Sequence, residues 1–353
     1  MSSSPPFALF NLPYVPLSII LNTMNELQIM KVALTSKKVY KLSKMLRKRR
    51  TEKLELNVSI CNYSAIEIVT EDIYETLFLV QELSEIQEDL RIEYLKIGDT
   101  VVQTQKPEDR GEIIYFYFED HFIGIQILSE IVSDFFSVPI QFLDLREEVI
   151  DPRRVFNWIM SRQNSVADFK YECKEANEED LKYFLDNCEI TNELILGVPN
   201  GFQYSFKYPM NLERVVLIRS SWMTINNLFE INPRYLDMSE TRFTNEDMNL
   251  FVRNWINGGH WNLRTLILLI EQLDFHIILN DIPFVWRETP DDFIYNLAYE
   301  EYDIRGTEPV IEIRNVNGVI GWIMLHNDVE NSFTFYIWPD WEGKPYPLEP
   351  IVQ

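Results

Sequence analysis

Residues 212–269, LERVVLIRSSWMTINNLFEINPRYLDMSETRFTNEDMNLFVRNWINGGHWNLRTLILL, decide the fold class of this chain. Runs rich in β-branched, aromatic and leucine residues alternate here with capped segments whose apolar residues recur at helical spacing. Strands are predicted at residues 215–219, 235–238 and 265–269. Helix starts are predicted at Ser221 with Thr224 and at Thr244 with Asp247, because a hydroxyl three residues before a polar side chain is an N-cap pattern. The stretch therefore predicts an α/β domain.

The same alternation extends upstream. Strand patterns at residues 141–145 and 169–173 accompany helix starts at Asp151-Pro152 and at Asn177 with Asp180. The helix starts recur at roughly the 20–29-residue period of leucine-rich repeats, with one irregular unit around residues 193–208. This period predicts a leucine-rich-repeat-like α/β domain, a curved solenoid with a parallel sheet. Since the asparagine ladder of the strict repeat is absent, a compact doubly layered α/β fold is the alternative.

Beyond Pro290 the pattern becomes that of a C-terminal β-hairpin unit. Residues 310–316 and 319–325 flank Asn317-Gly318, a pair typical of a type I′ hairpin turn. Residues 332–338 alternate as a third strand. We expect this unit to cap the repeat stack, with an irregular tail from Pro339.

The first fifty residues differ from the rest in charge. They carry +8 of a chain whose net charge is −23, which leaves −31 on residues 51–353, so the two parts are expected to meet different electrostatic partners. Three short helices are predicted from helical spacing of apolar residues, which runs through Leu17, Ile20, Leu21 and Met24, then Leu27, Met30 and Leu34, then Val39, Leu42 and Leu46. Ile19, Ile29 and Val32 fall off the internal faces of these helices. Since so short a segment cannot bury them by itself, either the rest of the chain or another protein is expected to cover them.

Composition argues against several classes of protein. The three cysteines form no CxxC pair, which suits a reducing compartment, and the sequence holds no glycine-rich phosphate loop and no GxSxG. The four histidines are widely spaced, so neither a metal site nor a catalytic centre is expected, and no cofactor is implied. No signal peptide or membrane span is expected, which predicts a cytoplasmic or nuclear protein. The basic run 44–50 is typical of a nuclear localisation signal, of a phosphate-binding patch or of a solvated helix face. The acidic charge of the rest of the chain disfavours nucleic-acid binding.

The N-terminal segment, from Phe7 to Leu46, resembles the F-box family. The features that carry the resemblance are the pair Leu12-Pro13, the apolar helix from Leu17 to Met24, Leu27 in the following turn, and Leu34-Thr35-Ser36-Lys37-Lys38. The resemblance implies that this segment binds the Skp-type adaptor of a cullin ubiquitin ligase. Carried over position by position, it implies the adaptor contacts Leu12, Pro13, Leu17, Ile20, Leu27, Leu34 and Ser36.

A second resemblance covers the stretch quoted first. It is similar to the type 2 F-box-associated domain of nematode F-box families. The matching features are Ser221-Trp222, the helix start at residues 244–249, Phe251 with Trp255, Gly258-Gly259 and Asn262-Leu263. The order of the two segments along the chain is that of an F-box protein.

Together the two resemblances imply an F-box at residues 5–50, an F-box-associated repeat-like α/β domain at 51–295, and a C-terminal β unit with its tail at 296–353. They imply a non-catalytic substrate-recognition subunit of a Skp/cullin/F-box ubiquitin ligase, with an unknown substrate protein and neither nucleic acid nor membrane as partner. Two alternatives stay open, a protein-protein interaction scaffold without a ligase role and an unrecognised hydrolase.

Overall fold

The structure is a computed structural model that describes residues 9–47, 54–70, 73–97, 100–107, 113–146, 151–173, 178–199, 201–206, 210–289, 294–296, 304–305, 309–324 and 331–348. The chain divides into two compact units, unit 1 at Met1–Asp151 and unit 2 at Pro152–Gln353. The ranges 5–50, 51–295 and 296–353 are a different division of the chain and stay a prediction. Some predicted positions lie outside the described residues, namely Phe7, residues 48–50, Asn177, Tyr208 and Leu325.

Unit 1 begins with three helices and continues as a sheet with one long helix. Its helices are α1 (Tyr14–Thr23), α2 (Glu26–Ala33), α3 (Lys37–Leu46) and α4 (His121–Phe136), with short 3-10 turns at Leu9–Asn11 and Leu83–Glu85. Its strands are β1 (Glu55–Ile60), β2 (Ser64–Thr70), β3 (Ile73–Glu82), β4 (Glu93–Ile97), β5 (Thr100–Gln105), β6 (Ile114–Phe118) and β7 (Ile140–Arg146). Their order is β7-β1-β2-β3-β6-β5-β4, in which β1 with β7 and β3 with β6 are parallel.

Polar caps start the second and third of the predicted short helices. Asn25 caps α2 by accepting from the Gln28 N–H, and the Gln28 side chain accepts from the Asn25 N–H in return. Ser36 caps α3 by accepting from the Val39 N–H. These contacts satisfy N–H groups that a helix leaves free at its first turn. The prediction of three short helices is confirmed.

The core of unit 1 lies between α4 and the sheet. Helix α4 contacts β1, β2, β3 and β6 and buries Phe122, Ile125, Leu128 and Val132. Beneath it Phe78 of β3 meets Phe116 of β6 edge to face, with ring centroids 5.0 Å apart. This α4-centred core is the body against which the N-terminal helices pack.

Unit 2 alternates strands and helices before it ends in a β unit. Its helices are α5 (Pro152–Arg162), α6 (Glu178–Asn187), α7 (Ile225–Glu230), α8 (Asn245–Ile256) and α9 (Phe275–Ile278). Its strands are β8 (Ser165–Glu172), β9 (Glu189–Gly197), β10 (Arg214–Ile218), β11 (Tyr235–Met238), β12 (Thr265–Leu269), β13 (Val285–Arg287), β14 (Ile294–Tyr295), β15 (Ile304–Arg305), β16 (Val310–Arg314), β17 (Ile320–Met324) and β18 (Ser332–Ile337). The main order is β13-β16-β17-β18-β12-β11-β10-β9-β8, and β14 pairs with β15 separately.

Strands β8 to β12 lie side by side in chain order, and each pairs in parallel with the next. A helix separates most successive strands, whereas residues 201–206 and 210–213, between β9 and β10, form neither helix nor strand. The molecule is therefore mixed α/β, as predicted. The leucine-rich-repeat-like assignment itself stays a prediction.

The C-terminal strands continue this sheet, because β18 pairs antiparallel with β12 and is followed by β17 and β16. The predicted type I′ turn is wrong, since only Gly318 of the pair Asn317-Gly318 has a positive φ, at 79°. The Gly318 N–H donates to the Asn315 carbonyl at 2.9 Å and the Asn315 N–H donates to the Val319 carbonyl at 3.0 Å. A wider turn that ends on a left-handed glycine therefore replaces the two-residue turn.

The two helix starts predicted in the deciding stretch have different outcomes. Helix α7 is capped by Thr224, three residues beyond the predicted Ser221, and Thr224 forms a capping box with Asn227. Helix α8 is capped by Thr244 with Asp247, as predicted. The Ser221 prediction is wrong because Asn227, and not Thr224, supplies the reciprocal side chain of the box.

We expect Thr244→Ala to lower the free energy of unfolding of unit 2 by about 1 kcal/mol, because it removes the cap of α8. The measurement is urea unfolding followed by tryptophan fluorescence, which reports on unit 2 alone because all eight tryptophans lie after residue 151. Thr244→Ser keeps the hydroxyl and is the control. Equal losses in both variants would contradict the assigned role of the cap.

Candidate functional site

Several histidine and cysteine side chains are buried in the described part of the chain, whereas His276 is exposed. His121 is buried with its Nε2 3.0 Å from the Val80 carbonyl, and Cys173 is buried as well. Burial raises the pKa of the Cys188 thiol to about 11, which disfavours a thiolate. The described residues hold no group of three or more His, Cys, Asp or Glu arranged for a metal ion, and no helix among them is long and apolar enough to cross a bilayer. That the chain is not an enzyme stays a prediction.

The candidate site in unit 1 is the exposed face of α1. Tyr14, Val15 and Ile19 are exposed there, Tyr14 by 65% of its surface, and Pro13 and Pro16 are exposed beside them. Val15 and Ile19 are four residues apart, so they lie on the same side of the helix. We call Pro13, Tyr14, Val15, Pro16 and Ile19 the α1 face. Several exposed apolar side chains on one short segment favour a protein-binding site.

Buried leucines and two side-chain hydrogen bonds fix α1 to α3. Leu17 and Leu21 are buried, and the Asn22 amide donates to the Leu46 carbonyl at 3.2 Å. The Ser18 hydroxyl donates to the same carbonyl at 3.4 Å. These contacts hold α1 in place while Val15 and Ile19 stay exposed.

Helices α2 and α3 are covered by later parts of unit 1. The Leu27 N–H at the start of α2 donates to the Glu75 carboxylate of β3 at 3.2 Å, a favourable place for a negative charge. The Tyr40 hydroxyl of α3 donates to Asp134 of α4 at 2.7 Å. Ile29 of α2 is buried, so the chain itself covers it, which is one of the two expected outcomes, whereas Ile19 is exposed. Later parts of unit 1 therefore cover part of α2 and α3, whereas the α1 face stays exposed, as does Met45 of α3.

The basic run that starts at Lys44 also has partners within unit 1. Lys44 pairs with Asp134 at 2.6 Å. Arg47 lies 3.8 Å from the Glu26 carboxylate and stacks over the Phe136 ring at 4.5 Å. Lys44 and Arg47 thus hold α3 against α2 and α4, a role that the sequence pattern did not indicate.

The seven predicted adaptor contacts occupy three different environments. Leu17, Leu27 and Leu34 are buried, and Leu12 and Ile20 are half-buried. Pro13 and Ser36 are exposed, and Ser36 caps α3. Their role in binding stays a prediction. The exposed side chains Tyr14 and Val15 are absent from the predicted set. Helical spacing could have placed Val15 with Ile19 away from the buried Leu17 and Leu21, whereas Tyr14 shares the spacing of these leucines and its exposure could not have been predicted from it.

Unit 2 contains a pocket of about 670 Å³ at the starts of β9 and β10. The carboxylates of Asp186 and Glu189 lie in its lining, and the aromatic side chains of Tyr204 and Phe206 form part of its wall. The Tyr204 hydroxyl donates to Asp186 at 3.1 Å, and burial raises the pKa of Tyr204 above its ordinary value. Since no lysine or arginine is among the described lining residues, the pocket suits a cationic or hydrogen-bond-donating group.

The comparison with known families matches residues 203–268 to the F-box associated family. The match contains β10, α7, β11 and α8, and it includes the wall of the pocket from residue 204 onward. Residues 203–268 form an F-box associated domain. The sequence features between Ser221 and Leu263 that resembled this domain all lie inside it. The F-box associated domain therefore holds β10, β11 and most of β12, the last three strands of the parallel array from β8 to β12.

One curated protein is similar to part of the chain. The Skn-1 dependent zygotic transcript 15 protein of Caenorhabditis elegans is 26% identical to the chain over 117 residues. The match covers 31% of this chain and 33% of that protein, so it spans about a third of the relative's length. No solved structure matches the chain. The F-box resemblance of the N-terminal segment stays a prediction beside the F-box associated domain.

Proposed function

We propose that the protein is the substrate-recognition adaptor subunit of a Skp/cullin/F-box ubiquitin ligase. In this role the N-terminal helices bind the Skp-type adaptor, unit 2 binds a substrate protein, and other subunits of the complex transfer ubiquitin. The observation that carries the proposal is the F-box associated domain at residues 203–268, which points to substrate recognition of the F-box type. It follows an N-terminal segment with the sequence features of an F-box.

The α1 face supports the adaptor half of the proposal. Its apolar side chains are exposed while Leu17 and Leu21 hold the helix on unit 1, so a partner can bind without unfolding the chain. Docking of another protein's helices against such a face buries apolar area from both partners. Of the residues that the F-box resemblance implies, Leu12, Pro13 and Ile20 are the ones on α1 or its start that remain at least partly accessible.

The charge distribution supports the substrate half. Residues 51–353 carry −31, and the pocket in unit 2 is lined by Asp186 and Glu189. Complementary charge raises the rate of encounter and selects among partners. We therefore expect the substrate to present a basic surface to unit 2. We propose that it binds the leucine-rich-repeat-like part of that unit.

The alternative is a protein-protein interaction scaffold without a ligase role. It has the same exposed α1 face and the same F-box associated domain and differs only in its partners. In both cases the protein is non-catalytic, needs no cofactor and works in the cytoplasm or the nucleus. Co-purification of a cullin together with the Skp-type adaptor separates the ligase subunit from the scaffold.

The combined substitution Tyr14→Asp and Ile19→Asp is expected to reduce recovery of the Skp-type adaptor and the cullin with the tagged chain to background. Both side chains are exposed, so two carboxylates on the α1 face block apolar docking and leave the fold intact. The measurement is affinity purification from cells followed by immunoblotting for the adaptor and the cullin.

Tyr63→Asp is the matched control, because Tyr63 is also a tyrosine of unit 1 that is 65% exposed, and it lies outside the N-terminal helices. Wild-type recovery with Tyr63→Asp and background recovery with the α1 variant support the proposal. Undiminished recovery of both partners with the α1 variant would contradict docking through α1. Recovery of the adaptor without a cullin would favour the scaffold.

A further inference from the structure

A second candidate binding site is an apolar groove in unit 1, separate from the α1 face. The groove has a volume of about 510 Å³ and lies among the end of α2, α3, the β4–β5 hairpin and α4. Its size falls in the range of sites that hold small ligands or one to two large side chains. Its floor is apolar, and its rim carries charge.

Aliphatic side chains form the floor. Ala33 and Leu34 at the end of α2 are buried on one side, and Ile97 of β4 is buried beneath. On the other side Ile127 and Ile131 of α4 are half-buried and four residues apart, so they form a ridge on one face of that helix. Ile123 extends the same row and is exposed. The ridge leaves apolar area that a bound aliphatic side chain can cover.

The rim carries three lysines, Lys37, Lys41 and Lys96, and two acidic residues, Glu130 and Asp134. Lys41 of α3 and Lys96 of β4 both line the groove and are exposed, and neither has an ion-pair partner among the residues that the structure describes. Asp134 also lines the groove and stays ionised, because hydrogen bonds from Lys44 and Tyr40 hold its pKa below its ordinary value, and its ion pair with Lys44 at 2.6 Å balances its charge. In a chain of net charge −23, two unpaired lysines at one apolar groove are an exception to the prevailing charge.

We propose that this groove binds an acidic segment of a partner protein, with one aliphatic side chain of the segment between Leu34 and the isoleucine ridge and its carboxylates on Lys41 and Lys96. The floor supplies affinity by apolar burial, and the lysines select acidic over basic segments. Carboxylates are the chosen ligand because lysine binds them as a point charge without needing a fixed geometry. The site uses different side chains from the α1 face, although Leu34 and Ser36, two of the predicted adaptor contacts, are among its lining residues.

The test begins with selection from a phage-displayed random dodecapeptide library on the full-length chain at low salt. We expect the enriched peptides to share an aliphatic residue flanked by glutamate or aspartate. A fluorescein-labelled enriched peptide is then titrated by fluorescence anisotropy. The variant with Lys41→Glu and Lys96→Glu should bind it about tenfold more weakly or worse, because two attractive charges become repulsive. Absence of enrichment, or a basic consensus, overturns the proposal.

The variant with Lys38→Glu and Lys106→Glu is the control of equal charge change, because both are exposed lysines of unit 1 that do not line the groove. Wild-type affinity in this control with loss in the groove variant supports the site, and equal loss in both overturns it. The α1 variant with Tyr14→Asp and Ile19→Asp should keep the peptide affinity, so failure of adaptor docking and failure of the groove are distinguished. If the groove variant also loses the Skp-type adaptor, the groove belongs to the adaptor interface and a separate partner is overturned.

Discussion

Trp255→Ala is expected to lower the free energy of unfolding of unit 2 by about 4 kcal/mol, the largest effect of any single change considered for this protein. Trp255 lies on α8 in the F-box associated domain and is 1% exposed. Its ring meets Phe335 of β18 edge to face with centroids 5.0 Å apart. Truncation removes both the apolar burial and this ring contact, and it leaves a cavity between α8 and the C-terminal strands.

The close approach of the sheet at Gly321 limits how far this cavity can collapse. A Cβ at Gly321 would lie 2.5 Å from the Phe335 ring and 3.0 Å from the Trp255 ring, so the three residues are already in tight contact. Phe335 is fully buried as well. Neighbours in such a close-packed region relax only in part, which keeps the cost near the upper end for a large aromatic.

Trp261→Ala is the matched control for Trp255→Ala, because Trp261 is 70% exposed and belongs to the same domain. We expect its effect to stay within about 0.5 kcal/mol. Urea unfolding followed by the fluorescence of the remaining tryptophans measures both variants. Similar losses for the two tryptophans would contradict the packing of α8 against β18.

The second large effect concerns pH. Burial lowers the pKa of His260 from an ordinary 6.5 to about 4. A backbone hydrogen bond with Ile231 raises this pKa, but the effect of burial is larger. The ring packs on Phe251 at a centroid distance of 5.0 Å, and its Nε2 has no hydrogen-bond partner among the described residues. A proton on the buried ring is therefore unfavourable in the folded state.

The sign of the pH effect follows from this lowered pKa. Between about pH 6.5 and pH 4 the unfolded chain binds a proton that the folded chain does not, so acid favours unfolding. The contribution of His260 is fully present above pH 6.5 and is lost as the pH falls to 4, on the order of 3 kcal/mol in total. Between pH 7 and pH 4 we expect the free energy of unfolding of His260→Asn to fall by about 3 kcal/mol less than that of the wild type.

Asparagine suits this test because His260 has a φ of 49°, a left-handed conformation that asparagine tolerates. The substitution also lowers stability at pH 7 by loss of ring packing, so the comparison concerns the pH dependence and not the absolute value. His276→Asn is the control, since His276 is exposed on α9. Urea midpoints by tryptophan fluorescence at several pH values give the result. An unchanged pH dependence in His260→Asn would contradict the assigned burial.

Sequence patterns predicted unit 2 better than unit 1. The bounds of β11 and β12 agree with the predicted residues 235–238 and 265–269, because Gly, Pro and polar caps separate these strands from their helices. The F-box associated domain was predicted from the same stretch. The turn at Asn317-Gly318 was missed, since the pair permits a type I′ turn but does not fix the number of residues in the loop.

The strands of unit 1 before β7 and its helix α4 were not predicted. Strand β2 alternates buried Ile66 and Ile68 with partly exposed Ala65 and Glu67, a signal that was present in the sequence. Helix α4 gave a weaker signal, because apolar residues such as Ile123, Ile125 and Ile127 occur on several of its sides. A helix with a broad apolar surface resembles a buried strand when only the pattern is considered.

The candidate site was also predicted only in part, and the reason is not a weak secondary-structure signal. Helical spacing identified the buried side of α1, but which helix faces remain open depends on residues far along the chain. Glu75 covers the start of α2, and Asp134 holds α3 through Tyr40 and Lys44. These contacts join segments tens of residues apart, and local periodicity contains no information about them.

The central claim, that the α1 face binds a Skp-type adaptor, is tested most directly with purified components. Isothermal titration of the full-length chain with a Skp-type adaptor should give a one-to-one complex with a Kd of about 1 µM or tighter. The complex should be lost in the variant with Tyr14→Asp and Ile19→Asp and retained in Tyr63→Asp. Absence of a complex with the wild-type chain at adaptor concentrations well above 1 µM, or an unchanged Kd in the α1 variant, would contradict the claim.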